Sequence, residues 1–324
     1  MDQFSAHLDR AWDLVASGDT HGARSSARHA QQIDPNSPEV HNLLGYISAA
    51  DGDADEALEH YRQAMALDDG YLEPVLNAAE LLVHPLADYD QAIQLCDEAL
   101  EFAESPEELA DALLLKFDAL LGKGDKAAAA EVLEELPAGP YETANYDFLI
   151  GRAFYDVGRL DDAEERLVKA ALREPQHADA HYYLGVIADD RGDPSVAGQH
   201  FVIVREIDAR APHVAWSPSR EEFGKVVDQA ISELPGELVV HIAGARIYPT
   251  EAPGIELCAE GCDPRIPVLV DGVDGDAAAR LFVYQRNVER YCYSLEVMKT
   301  DLPKLIAREI ETVFASPDAG SGAD

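Results

Sequence analysis

The sequence predicts a mainly α fold: a superhelix of stacked helix pairs over the first two thirds of the chain, then a small α+β domain. Three observations carry this. A turn residue, often followed by Asp, precedes a small Ala by five positions at Gly18/Ala23, Gly52/Ala57, Ala87/Ala92, Gly124/Ala129, Gly158/Ala163 and Gly192/Ala197. Those alanines are 34, 35, 37, 34 and 34 residues apart, the period of a helix-turn-helix unit. After Pro212 the register stops, and short strand-like runs take over.

Within each unit the residue types suit two helices packed face to face. A small residue stands seven positions before the turn glycine (Ala11, Gly45, Gly151, Gly185), where the helices must approach closely. A large residue follows the register Ala by four (Tyr61, Leu133, Leu167, Phe201) and fills the space between them. Another small residue comes three later, at Ala30, Ala64, Ala99 and Ala170. Pro35 and Pro175 close the first and fifth units, because proline cannot continue a helix. The third and fourth units depart from the pattern. Ala87 stands where the turn glycine should be, and the segment 102–115 carries a short insertion.

Stretches such as "HNLLGYISAADGDADEALEHYRQAMALD" and "HYYLGVIADDRGDPSVAGQHFVIVREID" resemble the tetratricopeptide repeat family. That resemblance implies a protein that holds another protein or peptide on an inner wall formed by the first helix of each unit. Placed on that wall, the register gives Trp12, Asn42 and Tyr46, then Phe148, Arg152, Tyr155 and Asp156, then Asp179, Tyr182, Asp189 and Asp190. The expected partner-binding set is Trp12, Tyr46, Phe148, Tyr155, Asp156, Asp179, Tyr182, Asp189 and Asp190. Members of the family that grip a terminal carboxylate use Lys, Arg and Asn there. Only Asn42 and Arg152 are of that kind, so the expected ligand is instead a basic, partly apolar segment.

The charge agrees. The chain has 62 acids against 25 bases, a net charge of −37, and residues 1–212 hold 43 of the acids and 15 of the bases. Such a surface repels nucleic-acid phosphates and anionic lipid heads and attracts cations. Nucleic-acid and membrane partners are therefore not expected. No apolar run is long enough to span a bilayer, and the first residues lack a basic stretch leading into an apolar one, so a cytoplasmic location is expected.

The C-terminal segment reads as a linker at 213–219, an α+β domain over 220–316 and a disordered tail at 317–324. A helix over Arg220–Leu234 places Phe223, Val226, Val227, Ala230, Ile231 and Leu234 on one stripe. Strands are expected near Ile247, Leu269 and Val283, the last with Leu281, Val283 and Gln285 on one face and Phe282, Tyr284 and Arg286 on the other. A final helix is expected from about Leu302 to Ala315.

The segments "EEFGKVVDQAISELP", "RLFVYQRNVERYC" and "DLPKLIAREIETVFASPD" resemble the minimal zincin-like metallopeptidases. The resemblance implies a last helix bearing H-E-x-x-H, two His binding zinc and a Glu activating its water. Here the five positions are Arg308-Glu309-Ile310-Glu311-Thr312, so only the Glu is kept. Arg308 has no lone pair for a metal and Thr312 is a poor ligand. The expectation is a vestigial motif with no catalytic residues, no metal and no cofactor, hence a regulatory scaffold that sequesters or inhibits a partner. The alternative is a zinc metallopeptidase with unorthodox ligands. Cys258 and Cys262 could join Cys292 or His241 around zinc, but no second close-spaced ligand pair exists, and the thiols, Cys96 among them, are read as free.

Overall fold

The computed structural model describes residues 2–315, so the tail expected at 317–324 lies outside the described residues. The chain divides into two compact units, Met1–Arg173 and Glu174–Asp324.

The first unit consists of five helix pairs: α1 (Gln3–Ala16) with α2 (Thr20–Ile33), α3 (Pro38–Ala50) with α4 (Ala54–Leu67), α5 (Leu72–Val83) with α6 (Tyr89–Phe102), α7 (Pro106–Gly122) with α8 (Lys126–Val132), and α9 (Ala144–Asp156) with α10 (Leu160–Arg173). The turn–Asp signature has a local cause. Asp19, Asp53, Asp88 and Asp125 each cap the second helix of their pair, accepting from a backbone N–H three residues on at 2.8–3.2 Å. In the fifth pair Arg159 holds that place, and its Nε instead meets Asp162 Oδ2 at 2.7 Å. The residue before each cap lies in the left-handed region, with φ +80° at Gly18, +83° at Gly52, +81° at Gly124 and +85° at Gly158. Ala87 takes the same conformation at φ +53°, although it carries a Cβ. The register therefore continues through the third pair under strain.

The close approaches are also real. A Cβ on Gly45 would fall 2.6 Å from the Tyr61 ring, and one on Gly151 would fall 2.8 Å from Leu167. The insertion expected at 102–115 lengthens α7 to 17 residues, against 13 in α3 and α9. Its partner α8 is short and gives way to a 3-10 turn at Leu133–Glu135, ahead of Pro137 and Pro140.

The second unit opens with a sixth pair, α11 (Ala178–Asp190) and α12 (Pro194–Arg210), capped by Asp193 at 3.1 Å, with Gly192 at φ +73°. A Cβ on its Gly185 would meet Phe201 at 2.3 Å. Then follow α13 (Arg220–Ser232), α14 (Gly236–Ile242), β1 (Arg246–Thr250), α15 (Ile255–Ala259), β2 (Val268–Asp274), β3 (Ala277–Tyr284), α16 (Gln285–Glu289) and α17 (Leu295–Ala315). The three strands lie in the order β1-β3-β2, with β1 parallel and β2 antiparallel to β3. One core joins Phe223, Val227 and Ala230 of α13, Val268, Leu281 and Val283 of the sheet, and Met298, Leu302, Ile306 and Ile310 of α17.

Two sequence expectations need correction here. Gln285 and Arg286 do not continue the third strand; they open α16, where Gln285 is buried and its Nε2 donates to the Pro218 carbonyl at 2.8 Å and to Glu289 at 3.0 Å. The last helix begins at Leu295, seven residues before the expected start, with Pro303 inside it. The missing hydrogen bond is tolerated because Met298 and Leu302 before the proline and Ile306 after it are fully buried.

Candidate interaction groove

The first helices α5, α7 and α9 bound a cavity of about 490 Å³ in the first unit. Its floor is apolar, made of Leu72 and Leu76 from α5, Leu114 and Leu115 from α7, and Leu149 from α9. Its rim is mostly carboxylate: Glu73, Glu80, Glu108, Asp111 and Asp118, with Arg152 the single cation lining it among the described residues. The Glu108 carboxylate already accepts from the backbone N–H groups of Glu104 and Ser105, completing the α7 capping box.

Asp111 and Asp118 are partly buried. Burial raises both carboxyls above the ordinary aspartate range. For Asp111 the Tyr146 hydroxyl, donating at 3.1 Å, works the other way, and nearby Glu107 and Glu108 push further up. For Asp118 the opposing influence is Arg152, whose Nη2 is 4.0 Å away. Among the described residues no cation lies within ion-pair distance of Asp111. The site thus joins a leucine floor to carboxylates that lack sufficient positive charge.

The wall residues expected from sequence fall into three groups. Trp12 and Tyr46 pack against each other in the first unit, ring centroids 5.5 Å apart, and Tyr46 is 43% exposed. Phe148 is buried, Tyr155 is half-buried, and Asp156 is exposed. Asn42 is fully buried, donating to the Tyr71 hydroxyl and accepting from Asn77 Nδ2, both at 3.1 Å.

The third group belongs to the sixth pair and is engaged by its own unit. Arg265, in the loop after α15, places Nη1 2.6 Å from Asp179 Oδ1 and Nε 3.1 Å from Asp208 Oδ2. Its guanidinium lies 4.6 Å from the centre of the Tyr182 ring. The Tyr182 hydroxyl donates to Asp263 Oδ2 at 3.1 Å, and burial raises the Asp263 carboxyl. Beneath this loop Cys258 packs with Ala188, Ala197 and Phe201, and Gly198 leaves room for the Ala259 backbone. Asp189 and Asp190 are exposed at the end of α11.

The Arg308–Thr312 segment lies on α17. Glu309 Oε1 accepts from the Val270 N–H of β2 at 3.2 Å, and burial raises its carboxyl. Arg308 and Thr312 are exposed, and the Thr312 hydroxyl donates back to the Arg308 carbonyl at 2.8 Å. Burial pushes the Cys258 and Cys262 thiols up to about 11. A Ser–His–Glu grouping lines or borders a cavity of about 860 Å³ in this unit. There Ser217 Oγ donates to Glu289 at 2.6 Å and lies 3.4 Å from His213 Nδ1.

The carboxylate-rimmed cavity was missed in the sequence because α5 and α7 belong to the two pairs whose register is blurred. The signal present was acid–leucine–acid spacing, at Glu73/Leu76/Glu80 and Asp111/Leu114/Asp118.

Helix pairs of this length, register and capping define a helical-repeat protein, and comparison with known proteins specifies the repeat. Residues 8–71 and 148–212 match the tetratricopeptide repeat family model. The chain therefore carries tetratricopeptide repeats, the building blocks of protein–protein interaction surfaces. The probable biofilm formation methyltransferase WspC of Pseudomonas putida is 36% identical over 69 residues. That match covers 21% of this chain and only 16% of the methyltransferase. Among solved structures, PilF of Pseudomonas aeruginosa is similar at 20% identity and a TM-score of 0.54, covering 64% of this chain and 93% of that one. PilW, described as a widely conserved type IV pilus biogenesis factor, is similar at 21% identity and a TM-score of 0.55, covering 65% and 95%. At these identities the likeness concerns the fold. Among the described residues no helix is long and apolar enough to cross a membrane.

Proposed function

We propose that this protein is a cytoplasmic interaction scaffold whose groove along α5, α7 and α9 grips a basic, partly apolar segment of a partner protein. The observation that carries this reading is the leucine-floored cavity with its under-compensated carboxylates. Apolar area supplies affinity, whereas rim charge mostly raises the association rate and sets the salt dependence. Trp12, Tyr46, Tyr155 and Asp156 of the first unit, and Asp189 and Asp190 of the second, are additional contact candidates on the same reading. The test is affinity capture with the wild type and a Leu115→Arg variant. A partner eluted by salt from the wild type and absent from the variant is the expected result. Identical captured proteins would remove the groove from consideration.

The C-terminal region is, in the same proposal, a zincin-like domain that has lost its metal chemistry and serves recognition, so that the scaffold sequesters or inhibits its partner. Supporting this are a final helix packed on a small sheet and the residue types at the motif: Arg308 offers no lone pair, and the Glu309 carboxylate is occupied by a backbone N–H. Glu309→Gln should leave every activity unchanged, and metal analysis of the purified chain should find no stoichiometric zinc. Tightly bound zinc together with a hydrolytic activity lost in Glu309→Gln would establish the metallopeptidase reading instead.

A further inference from the structure

The groove carries more information than its net charge. Asp111, Leu114, Leu115 and Asp118 occupy positions i, i+3, i+4 and i+7 of α7, and Glu73, Leu76, Asn77 and Glu80 repeat that spacing on α5. Positions so related lie on one face of a helix. With a rise of about 1.5 Å per residue, the two acids of each stripe are separated by roughly 10.5 Å along the axis. The cavity is thus an apolar floor with carboxylates at both ends, Glu73 and Asp111 at one and Glu80 and Asp118 at the other.

This geometry selects a ligand conformation. Side chains on one face of an extended strand recur at about 7 and 13 Å, so a strand misses a 10.5 Å separation. A helix meets it with residues i and i+7, and its i+3 and i+4 side chains then point at the floor between them. The two ends are unequal. Arg152 sits 4.0 Å from Asp118, whereas no cation among the described residues pairs with Asp111.

The second unit shows how this chain answers such a carboxylate. Asp179 stands eighteen residues before its register alanine, Ala197, as Asp111 stands before Ala129. Asp179 is met by the Arg265 guanidinium at 2.6 Å. The equivalent cation for Asp111 is not supplied by the described chain.

Resting on the groove reading above, we infer that the partner segment is a helix bearing two cationic side chains seven residues apart with apolar residues between them, the first cation seated on Asp111. The occupant is a protein segment rather than a small diamine, because five leucines from three helices need apolar side chains above them.

The test is isothermal titration of the full chain with two blocked helical peptides of identical composition. One carries arginines at i and i+7 with leucines at i+3 and i+4; the other has its arginines adjacent. The spaced peptide should bind at least about tenfold more tightly, as expected when both charges are paired and partly desolvated. Asp111→Asn should remove most of that preference and Asp118→Asn less of it, with Glu73→Gln/Glu80→Gln as a second, surface-only variant. Equal affinity for the two peptides would overturn the spacing. If both peptides are nonetheless lost in Leu115→Arg, the groove reading stands while this inference fails; binding unchanged in that variant ends both. An α,ω-diamine of matching span that binds as tightly as the peptide would overturn the helical occupant.

Discussion

Two aspartates in one register position have opposite fates. Asp179, in the sixth pair, is fixed by Arg265, which also reaches Asp208 and stacks on Tyr182. Asp111, in the fourth, has a tyrosine hydroxyl and nearby glutamates, and its carboxyl is raised. The contrast teaches that a repeat position has no fixed meaning. The same carboxylate is structural where its own unit provides the counter-charge, and a receptor where it does not.

The largest effect that tests this contrast is Arg265→Ala. The Arg265 side chain is 15% exposed, and removing it leaves Asp179 and Asp208 facing each other with less compensation, although Arg290 still pairs with Asp208 at 2.6 Å. A loss of about 1.5–3 kcal/mol from the second unit is expected in denaturant unfolding, below the range for breaking a fully buried pair because the Asp179 side chain is half exposed. A loss below about 0.5 kcal/mol would mean that Arg265 is an ornament of the surface and no model for what Asp111 needs.

A reciprocal pair of turn substitutions comes next. Gly192→Ala, at φ +73° in the sixth pair, should destabilise by about 1 kcal/mol, and Ala87→Gly, at φ +53° in the third, should stabilise by a similar amount. Both are read by thermal unfolding of the unit concerned. If Ala87→Gly destabilises, the third pair carries no strain and its blurred register needs another cause. Smaller still, Asp111→Asn should leave stability unchanged or raise it by about 0.5 kcal/mol at neutral pH, because it removes a charge that burial disfavours. Destabilisation there would show that Asp111 is already satisfied and has no receptor role.

The smallest effect is common to both units. His41 and His60 face each other through Nδ1 atoms 3.3 Å apart, and the equivalent His181 and His200 do so at 3.0 Å. Burial lowers the pKa of His60 and of His181 below the ordinary value of 6.5. The unfolded chain therefore binds protons more readily there, and stability present above about pH 6.5 should decline as pH falls through that value. Melting followed from pH 8 to pH 6 should show the decline in each unit, and His60→Gln with His181→Gln should flatten it.

How much of this was legible follows from distance along the chain. The turn glycines, their Asp caps and the Gly–aromatic contacts act within about one repeat, and residue type announces them. Ala87 was legible only as a gap in the pattern, since its left-handed backbone leaves no side-chain signature. The pairing of Arg265 with Asp179 spans 86 residues, and no local rule connects them. The groove acids escaped for a different reason. Their spacing was visible, but without a turn glycine and with an insertion in α7, no frame showed which helix face they shared. In the C-terminal region, alternation located β3 but not its end. Gln285 and Arg286 fit the alternation as well as they fit the start of α16, and the buried polar contacts of Gln285 decide between the two.

The Arg265 loop has a consequence for competition. It is tethered to α12 by the Cys258 contact and to α11 by Tyr182, so its guanidinium is present at the sixth pair's wall at an effective concentration of roughly millimolar or higher. A free cationic segment at micromolar concentration and equal intrinsic affinity would then occupy that wall less than about one part in a thousand of the time. Asp179 and Tyr182 are open to a partner only if that partner outbids a ligand the chain never releases. The groove over α5 and α7 faces no such rival among the described residues, and dilute partners would reach it first.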